Sequence, residues 1–463
     1  MCGIILVKST RHIDLQHHLD ALNLLRSRGP DLSNYSFHNN IFIGQSVLHI
    51  TGSDHVYHDH CDFVFNGQIY NYKHLSGCAN DTEFAKNTVS KQDWQNIKTW
   101  KGPWAWVWTD FKDIFYASDP QLEKHLFVYQ DKDILIVTSE IKCIMHYVDI
   151  QVQKVEWHTK HWPMTQDHMP WQNVTVTNGG ILYKNGVFHS KLDSLDDWRT
   201  EYTGDYNQAV DDLDKLLTNV CSDINPQEKF VISYSGGLDS SLLNTYFPAG
   251  RTVCLDITGK DPIVKTTHAD QKITVDLLSW ADAYEQVVSH TFLPLASWNW
   301  ASYYILVKNI SERIVISGAG ADEIFGGYPY HLNGQKSPYS NTKVDKFLND
   351  YKIQQGAVDL LGSDLVSGIN GKETRNPFAH PDVIKFALSL PYSYKVNDRC
   401  KSILHDLYFK RTGKTIAQPK QGFAGHCNDA MHLIRPSYVP YSGDRFLQWK
   451  KFIQDDFYAR YKH

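Results

Sequence analysis

The chain has 463 residues, 42% hydrophobic and 21% charged, which at roughly 100–200 residues per domain predicts two or three folded domains and excludes wholesale disorder. Lys and Arg number 46 against 51 Asp and Glu, and a formal net charge of -5 offers no positive field to nucleic acid or anionic lipid. No run approaches ~18 apolar residues and no basic-then-apolar leader opens the chain, so neither a membrane nor a nucleic-acid partner is expected and a cytoplasmic location is read. The cysteines at 2, 61, 78, 143, 221, 254, 400 and 427 show no zinc-like spacing, which suits a reducing compartment.

Gly3-Ile4-Ile5-Leu6-Val7 reads as a strand, and Leu15, Leu19, Leu22 and Leu25 then recur at helical spacing up to a stop at Gly29-Pro30. Strands are expected at Ile41–Gln45, Asp62–Phe65, Ala105–Thr109, Ile114–Ala117 and Ile134–Thr138. The indoles of Trp104, Trp106 and Trp108 alternate with small residues and should share one face of their strand. Residues 1–190 thus form an α+β domain, and the polar stretch 191–205 reads as a linker. His55-Val56-Tyr57-His58-Asp59-His60-Cys61 reads as a polar loop before a strand rather than a metal site.

Residues 206–463 form the second domain. Its opening helix carries Val210, Leu213, Leu217 and Val220 on one stripe, and apolar runs at Phe230–Tyr234, Val253–Ile257 and Arg313–Ile316 alternate with helical stretches, the rhythm of a parallel sheet. Polar loops are expected at 256–272 and 328–345.

Two segments follow strands and carry chemistry. Ser235-Gly236-Gly237-Leu238-Asp239-Ser240-Ser241 joins a strand to a helix, and its glycines, hydroxyls and backbone N–H groups can hold a polyphosphate. Asp239 sits badly beside phosphate unless Mg²⁺ lies between them. The second loop, Ser317-Gly318-Ala319-Gly320-Ala321-Asp322-Glu323, is built alike. If its strand neighbours the first, Asp239 and Asp322 leave the same sheet edge and can share one cation.

At the other end, Cys2 would become a nucleophile with its own α-amine as base once Met1 is removed. Asn66-Gly67 offers an amide and an unobstructed backbone N–H as an oxyanion hole, although alone the pair reads as a hairpin turn.

SGGLDSS followed by SGAGADEIFGGY resembles the synthetase domain of glutamine-dependent asparagine synthetases, and Gly371–Phe378, Lys401 and Pro419–Phe423 extend the likeness. Met1-Cys2-Gly3-Ile4, Arg28-Gly29-Pro30-Asp31, Asn66–Asn71 and Asp81-Thr82-Glu83 resemble class II, N-terminal-nucleophile glutamine amidotransferases. The resemblance implies an αββα sandwich followed by an α/β ATP-pyrophosphatase domain. It implies ATP with Mg²⁺ on Asp239 and Asp322, nucleotide contacts from Ser235, Gly236, Gly237, Ser240, Ser241, Ile257, Ser317 and Gly318, and Lys401 on a phosphate. Cys2 would attack glutamine with Asn66 and Gly67 as oxyanion donors, Arg28 and Asp81 binding the substrate. The implied activity makes asparagine from aspartate through an acyl-adenylate, with ammonia from glutamine or supplied free. The alternative keeps adenylation with another carboxylate or amine, and a homodimer is left open.

Four departures from that pattern stand out. Val47-Leu48-His49-Ile50 replaces an Arg-Leu-Ser-Ile whose Arg clamps the glutamine carboxylate, which implies weakened glutamine use. Ala319 stands where an acidic residue manages the proton of the amine. Ser118–Leu126 replaces an Arg-Asp-x-x-Gly-x-x-Pro-Leu segment, and the region after Ile257 is shortened.

Overall fold

The computed structural model describes residues 2–50, 61–156, 162–257, 268–332, 346–416, 430–436 and 445–462. The first part of the chain supplies strands β1 (Gly3–Ser9), β2 (Leu32–His38), β3 (Ile41–Val47), β4 (Phe63–Gly67), β5 (Trp104–Thr109), β6 (Ile114–Ser118), β7 (Phe127–Gln130), β8 (Ile134–Thr138), β9 (Val174–Val176), β10 (Ile181–Lys184) and β11 (Val187–Lys191). They form two antiparallel sheets, ordered β2-β3-β1-β8-β7-β9 and β11-β10-β6-β5-β4.

Period-2 alternation explains how these sheets stack. Ile4 and Leu6 of β1, Ile41 and Ile43 of β3 and Val137 of β8 meet Val64, Ala105, Val107 and Tyr116 of the other sheet in one buried layer. The intervening residues face outward under helices. Ile5, Val7, Phe42 and Ile136 pack with Ala21 and Leu22 of the helix Leu15–Leu24 and Ile141 and Ile144 of the helix Ile141–Tyr147. Trp104, Trp106 and Trp108 lie together with Phe63 and Phe65 under Phe84, Ala85 and Val89 of the helix Asp81–Ser90, so the three indoles share a face as their spacing requires. This is the expected αββα sandwich.

The second part adds β12 (Phe230–Ser233), β13 (Arg251–Ile257), β14 (Gln271–Val275), β15 (Ile314–Ile316) and β16 (Glu373–Arg375), parallel throughout in the order β14-β13-β12-β15-β16. Helices cover both faces, as a parallel sheet requires. Val210, Leu213, Leu217 and Val220 of the helix Tyr206–Ile224 join Phe230, Ile232, Ile314 and Ile316 on one side. On the other, Val231, Val253 and Val315 meet Trp280, Tyr284, Trp300 and Leu306. That second cluster continues into the first half through Trp162 and Trp171, so the halves share apolar core.

Within 191–205, a 3₁₀ turn at Leu195–Trp198 buries Leu195 and Trp198 in the second half's core. Trp298–Tyr304 lies largely in a core helix, Asn299–Lys308, in which the Trp300 indole donates to the Val358 carbonyl at 3.0 Å. Of the expected loops, 258–267 and 333–345 lie outside the described residues, whereas Gln271–Val275 is a strand and Pro329–Leu332 a helical turn. The polar His55–His60 stretch and Pro419–Phe423 also lie outside them. Among the described residues no helix is long and apolar enough to cross a membrane, and the seven described cysteines are free thiols.

Candidate active sites

Cys2 precedes β1, and β4 ends in Asn66 and Gly67. The Cys2 backbone N–H donates to Asn66 Oδ1 at 2.8 Å, and Asn66 Nδ2 is fully buried without a hydrogen-bond partner among the described residues. A buried amide N–H₂ with nothing to donate to is costly, and the developing oxyanion of an amide substrate satisfies such a donor. Asn66-Gly67 is therefore not a hairpin turn: Asn66 pairs with Ala105 and Gly67 with Trp104 in a ladder between strands distant in sequence. Gly67 has φ of 140°, and a Cβ there would come within 2.1 Å of the Pro103 carbonyl. Only glycine fits.

Asp81, at the start of its helix, accepts the Ile69 N–H at 3.0 Å. Burial pushes its carboxyl up to about 6, aided by the negative charge of Glu373 from the second half. A buried carboxylate at this place suits a cationic amine. Val47, at the end of β3, is buried.

Arg28 departs from the substrate contact expected of it. Its side chain is fully buried, Nε donating to the Cys2 carbonyl at 3.1 Å and Nη2 to Asp364 Oδ2 at 2.7 Å, with Glu140 3.6 Å from Nη1. Asp364 also accepts from Lys124 Nζ at 2.8 Å. Against the cost of burial, these two cations hold the Asp364 carboxyl far below its usual range. A guanidinium enclosed by protein carboxylates positions the backbone of Cys2 and is closed to a ligand.

In the second half, β12 and β15 are neighbours, pairing Phe230 with Ile314 and Ile232 with Ile316. Their following loops therefore emerge side by side. Ser235, Gly236 and Gly237 turn the chain after β12, Gly236 at φ 75°, with Ser240 Oγ accepting the Ser235 N–H at 3.2 Å and Ser235 Oγ accepting the Gly237 N–H at 3.3 Å. Ser241 Oγ donates to the Tyr234 hydroxyl at 3.4 Å. Across from them, Ser317 Oγ accepts the Ala319 N–H at 3.3 Å, and a Cβ on Gly318 would lie 3.0 Å from that of Asp239. Ile257 closes β13 on the same sheet end.

Asp239 and Asp322 converge on one cation. Lys401 Nζ donates to both Asp239 oxygens at 2.7 and 2.6 Å and stands 2.6 Å from Asp322 Oδ1. Despite its burial, the two carboxylates raise the Lys401 pKa. Gly327 lies against this cluster, where a Cβ would come within 1.8 Å of Asp322 Oδ1 and 2.3 Å of Lys401 Cε. Two hard oxygen donors closing on a single positive centre are a donor set suited to Mg²⁺ completed by phosphate oxygens and water.

Sequence reasoning missed Asp364, Glu140, Glu123 and Asn376. The one signal was the divergent Ser118–Leu126 segment, which carries Glu123 and Lys124 into the seam between the halves.

A glutamine amidotransferase domain model matches residues 1–187 and an asparagine synthase model residues 263–355. A probable glutamine-hydrolyzing asparagine synthetase of Acanthamoeba polyphaga mimivirus is 23% identical over 92% of this chain and 85% of its own. The asparagine synthetase of Zea mays is 23% identical over 84% of this chain and 70% of its own. A putative asparagine synthetase of Methanocaldococcus jannaschii is 28% identical over 42% of this chain, a match spanning 38% of that relative's length.

Proposed function

The chain belongs to the asparagine synthetase family, and on that premise we propose that it makes asparagine from aspartate and ATP, using ammonia released from glutamine at Cys2 or supplied free. The observation that carries the reading is the convergence of Asp239 and Asp322, from two adjacent strand ends, on one cation.

At the second site the aspartate side-chain carboxylate attacks the α-phosphorus of ATP, an acyl-adenylate forms, and pyrophosphate leaves. Asp239 and Asp322 would hold Mg²⁺, which supplies charge neutralisation on the phosphates. The Ser235–Ser241 loop, with Ser317 and Gly318, would cradle the phosphate oxygens, Ile257 would border the nucleoside, and Lys401 would turn from its two carboxylates to a phosphate. Ammonia then attacks the activated carbonyl and AMP leaves.

At the first site, removal of Met1 turns the Cys2 N–H into an α-amine that takes the thiol proton, and Asn66 Oδ1 holds that amine where it holds the N–H now. The thiolate attacks the glutamine carboxamide, Asn66 Nδ2 and the Gly67 N–H stabilise the oxyanion, and water cleaves the thioester after ammonia departs. Asp81 holds the α-amine of glutamine, and Arg28 positions Cys2 through its carbonyl.

Glutamine, aspartate and ATP should yield asparagine, glutamate, AMP and pyrophosphate. Cys2→Ala should abolish glutamine-dependent amide formation, a loss on the order of 10⁶-fold for a missing nucleophile, and leave ammonia-dependent synthesis intact. Glutamine-dependent product from Cys2→Ala would reject the nucleophile. AMP release from another carboxylate but not from aspartate would reject the acceptor.

A further inference from the structure

The seam between the halves holds charge that neither site uses. Ser118–Leu126, running from β6 to β7, buries Asp119, Gln121, Glu123, Lys124 and His125. Asp119 is consumed locally, accepting the backbone N–H groups of Trp104, Glu123 and Lys124 at 3.1, 2.9 and 2.7 Å. Lys124 is consumed by Asp364.

Glu123 is different. It reaches out of the first half, and its Oε1 accepts from Asn376 Nδ2 at 2.9 Å. Asn376 follows β16, whose neighbour β15 leads into Ser317 and Gly318, and the Ser317 N–H donates to the Arg375 carbonyl at 3.0 Å. The first half thus delivers a carboxylate to the sheet end that carries the second site's loops.

Two further polar groups near it are unsatisfied. Asn376 Oδ1 and the Tyr351 hydroxyl are buried without hydrogen-bond partners among the described residues, and Tyr351 lies within electrostatic reach of Glu123, Asp119 and Glu323. Such groups persist in an interior when a small polar guest satisfies them. Once Glu123 is ionised, its carboxylate and the Asn376 amide oxygen only accept and the Tyr351 hydroxyl can accept, a set that suits a small cationic donor.

We propose that Glu123, Asn376 Oδ1 and the Tyr351 hydroxyl form a binding station for ammonium between the two sites, where Glu123 takes a proton and releases ammonia toward the Ser317 loop. The station rests on the proposed function and adds a residue that handles the proton. An N–H bond of ammonium breaks, its electron pair stays on nitrogen as the lone pair, and the proton forms an O–H bond with a Glu123 carboxylate oxygen. Water later takes that proton. The second site's own loop carries Ala319 and supplies no carboxylate from that position. Burial pushes Glu123 up to about 8, with Lys124 and the Asn376 amide opposing and Asp119 and Asp364 reinforcing the rise. The group therefore exchanges a proton in the mildly alkaline range.

The test uses full-length enzyme with glutamine, aspartate and ATP, then with ammonium chloride in place of glutamine. In Glu123→Gln, glutamate release and aspartate-dependent ATP–pyrophosphate exchange should persist, while amide formed per glutamate falls by about 10²-fold, the lower end for a lost general base. With ammonium chloride, the wild-type rate should rise through an ionisation near that of Glu123, and the Glu123→Gln rate should follow free ammonia alone, displaced to higher pH. Tyr351→Phe removes a hydroxyl with no partner among the described residues, so the fold is spared and coupling should fall by about fivefold, one hydrogen bond's worth. An unchanged amide-to-glutamate ratio and pH profile in Glu123→Gln overturns the station alone. A wild-type enzyme that makes no amide overturns the function and the station with it.

Discussion

Two charge triads of opposite composition sit in this protein and do different work. In Arg28–Asp364–Lys124 one carboxylate lies between two cations, and each side chain is at most 4% exposed. In Asp239–Lys401–Asp322 one cation lies between two carboxylates, which are 24% and 23% exposed. The distances are nearly equal, between 2.6 and 2.8 Å. Burial is what separates them. A sealed triad exchanges no partner with solvent, so it is scaffold: it ties a helix of the second half to the backbone of Cys2. A triad open at its mouth can trade its central cation for another, which is what a site for a metal-bound polyphosphate requires.

The contrast breaks most sharply at Asp364. Asp364→Asn takes the ion-pair carboxylate from buried Lys124, leaves Arg28 only Glu140, and should cost about 3–5 kcal/mol of stability, the usual loss when one partner of a buried ion pair is removed. Denaturant midpoints would measure it, and a variant as stable as the parent would mean that the sealed triad is not scaffold.

At the open triad the expected result is inverted. Asp239→Asn or Asp322→Asn should lower pyrophosphate formation by a factor on the order of 10²–10³ with either nitrogen donor, as for a lost electrostatic contact to the reacting groups. Glutamate release and melting temperature should be nearly unchanged, since Lys401 keeps its other carboxylate and both sites are partly solvated. Wild-type pyrophosphate release in either variant would end the assignment.

The smallest effect belongs to Asp81. Its raised pKa, about 6, means that the carboxylate gains a proton as pH falls through that value. The apparent KM for glutamine should then climb by about tenfold per pH unit below it, the most that one protonation can produce. For stability the sign is opposite: the protonated form suits the buried site, so the contribution present below the unfolded value of about 4 is lost as pH rises through 6. A KM flat between pH 7 and 5 would separate Asp81 from the substrate amine.

Much of the first half was legible because its strands alternate cleanly: the spacing of Trp104, Trp106 and Trp108 is enough to announce a face. β2 was not, since Leu32–His38 is only half buried and its polar residues break the pattern. β11 was missed for a related reason, Val187 and Phe188 being exposed on an edge strand. β16 escaped as a strand because Glu373, Thr374 and Arg375 are buried through an ion pair and a hydroxyl contact rather than by apolar burial.

What the sequence by itself determined is what local order encodes: the α+β character of the first half, the parallel sheet of the second, and the loops that place Cys2, Asn66, Asp239 and Asp322 at strand ends. Tertiary structure alone decided which charges meet. Arg28 finds Asp364 across 336 positions and Glu123 finds Asn376 across 253, and neither pair leaves a periodicity or a spacing along the chain. The physical reason is that strands and helices are selected by short-range sterics and burial patterns, whereas a buried charge takes its partner from whichever side chain the packed fold brings within hydrogen-bonding distance.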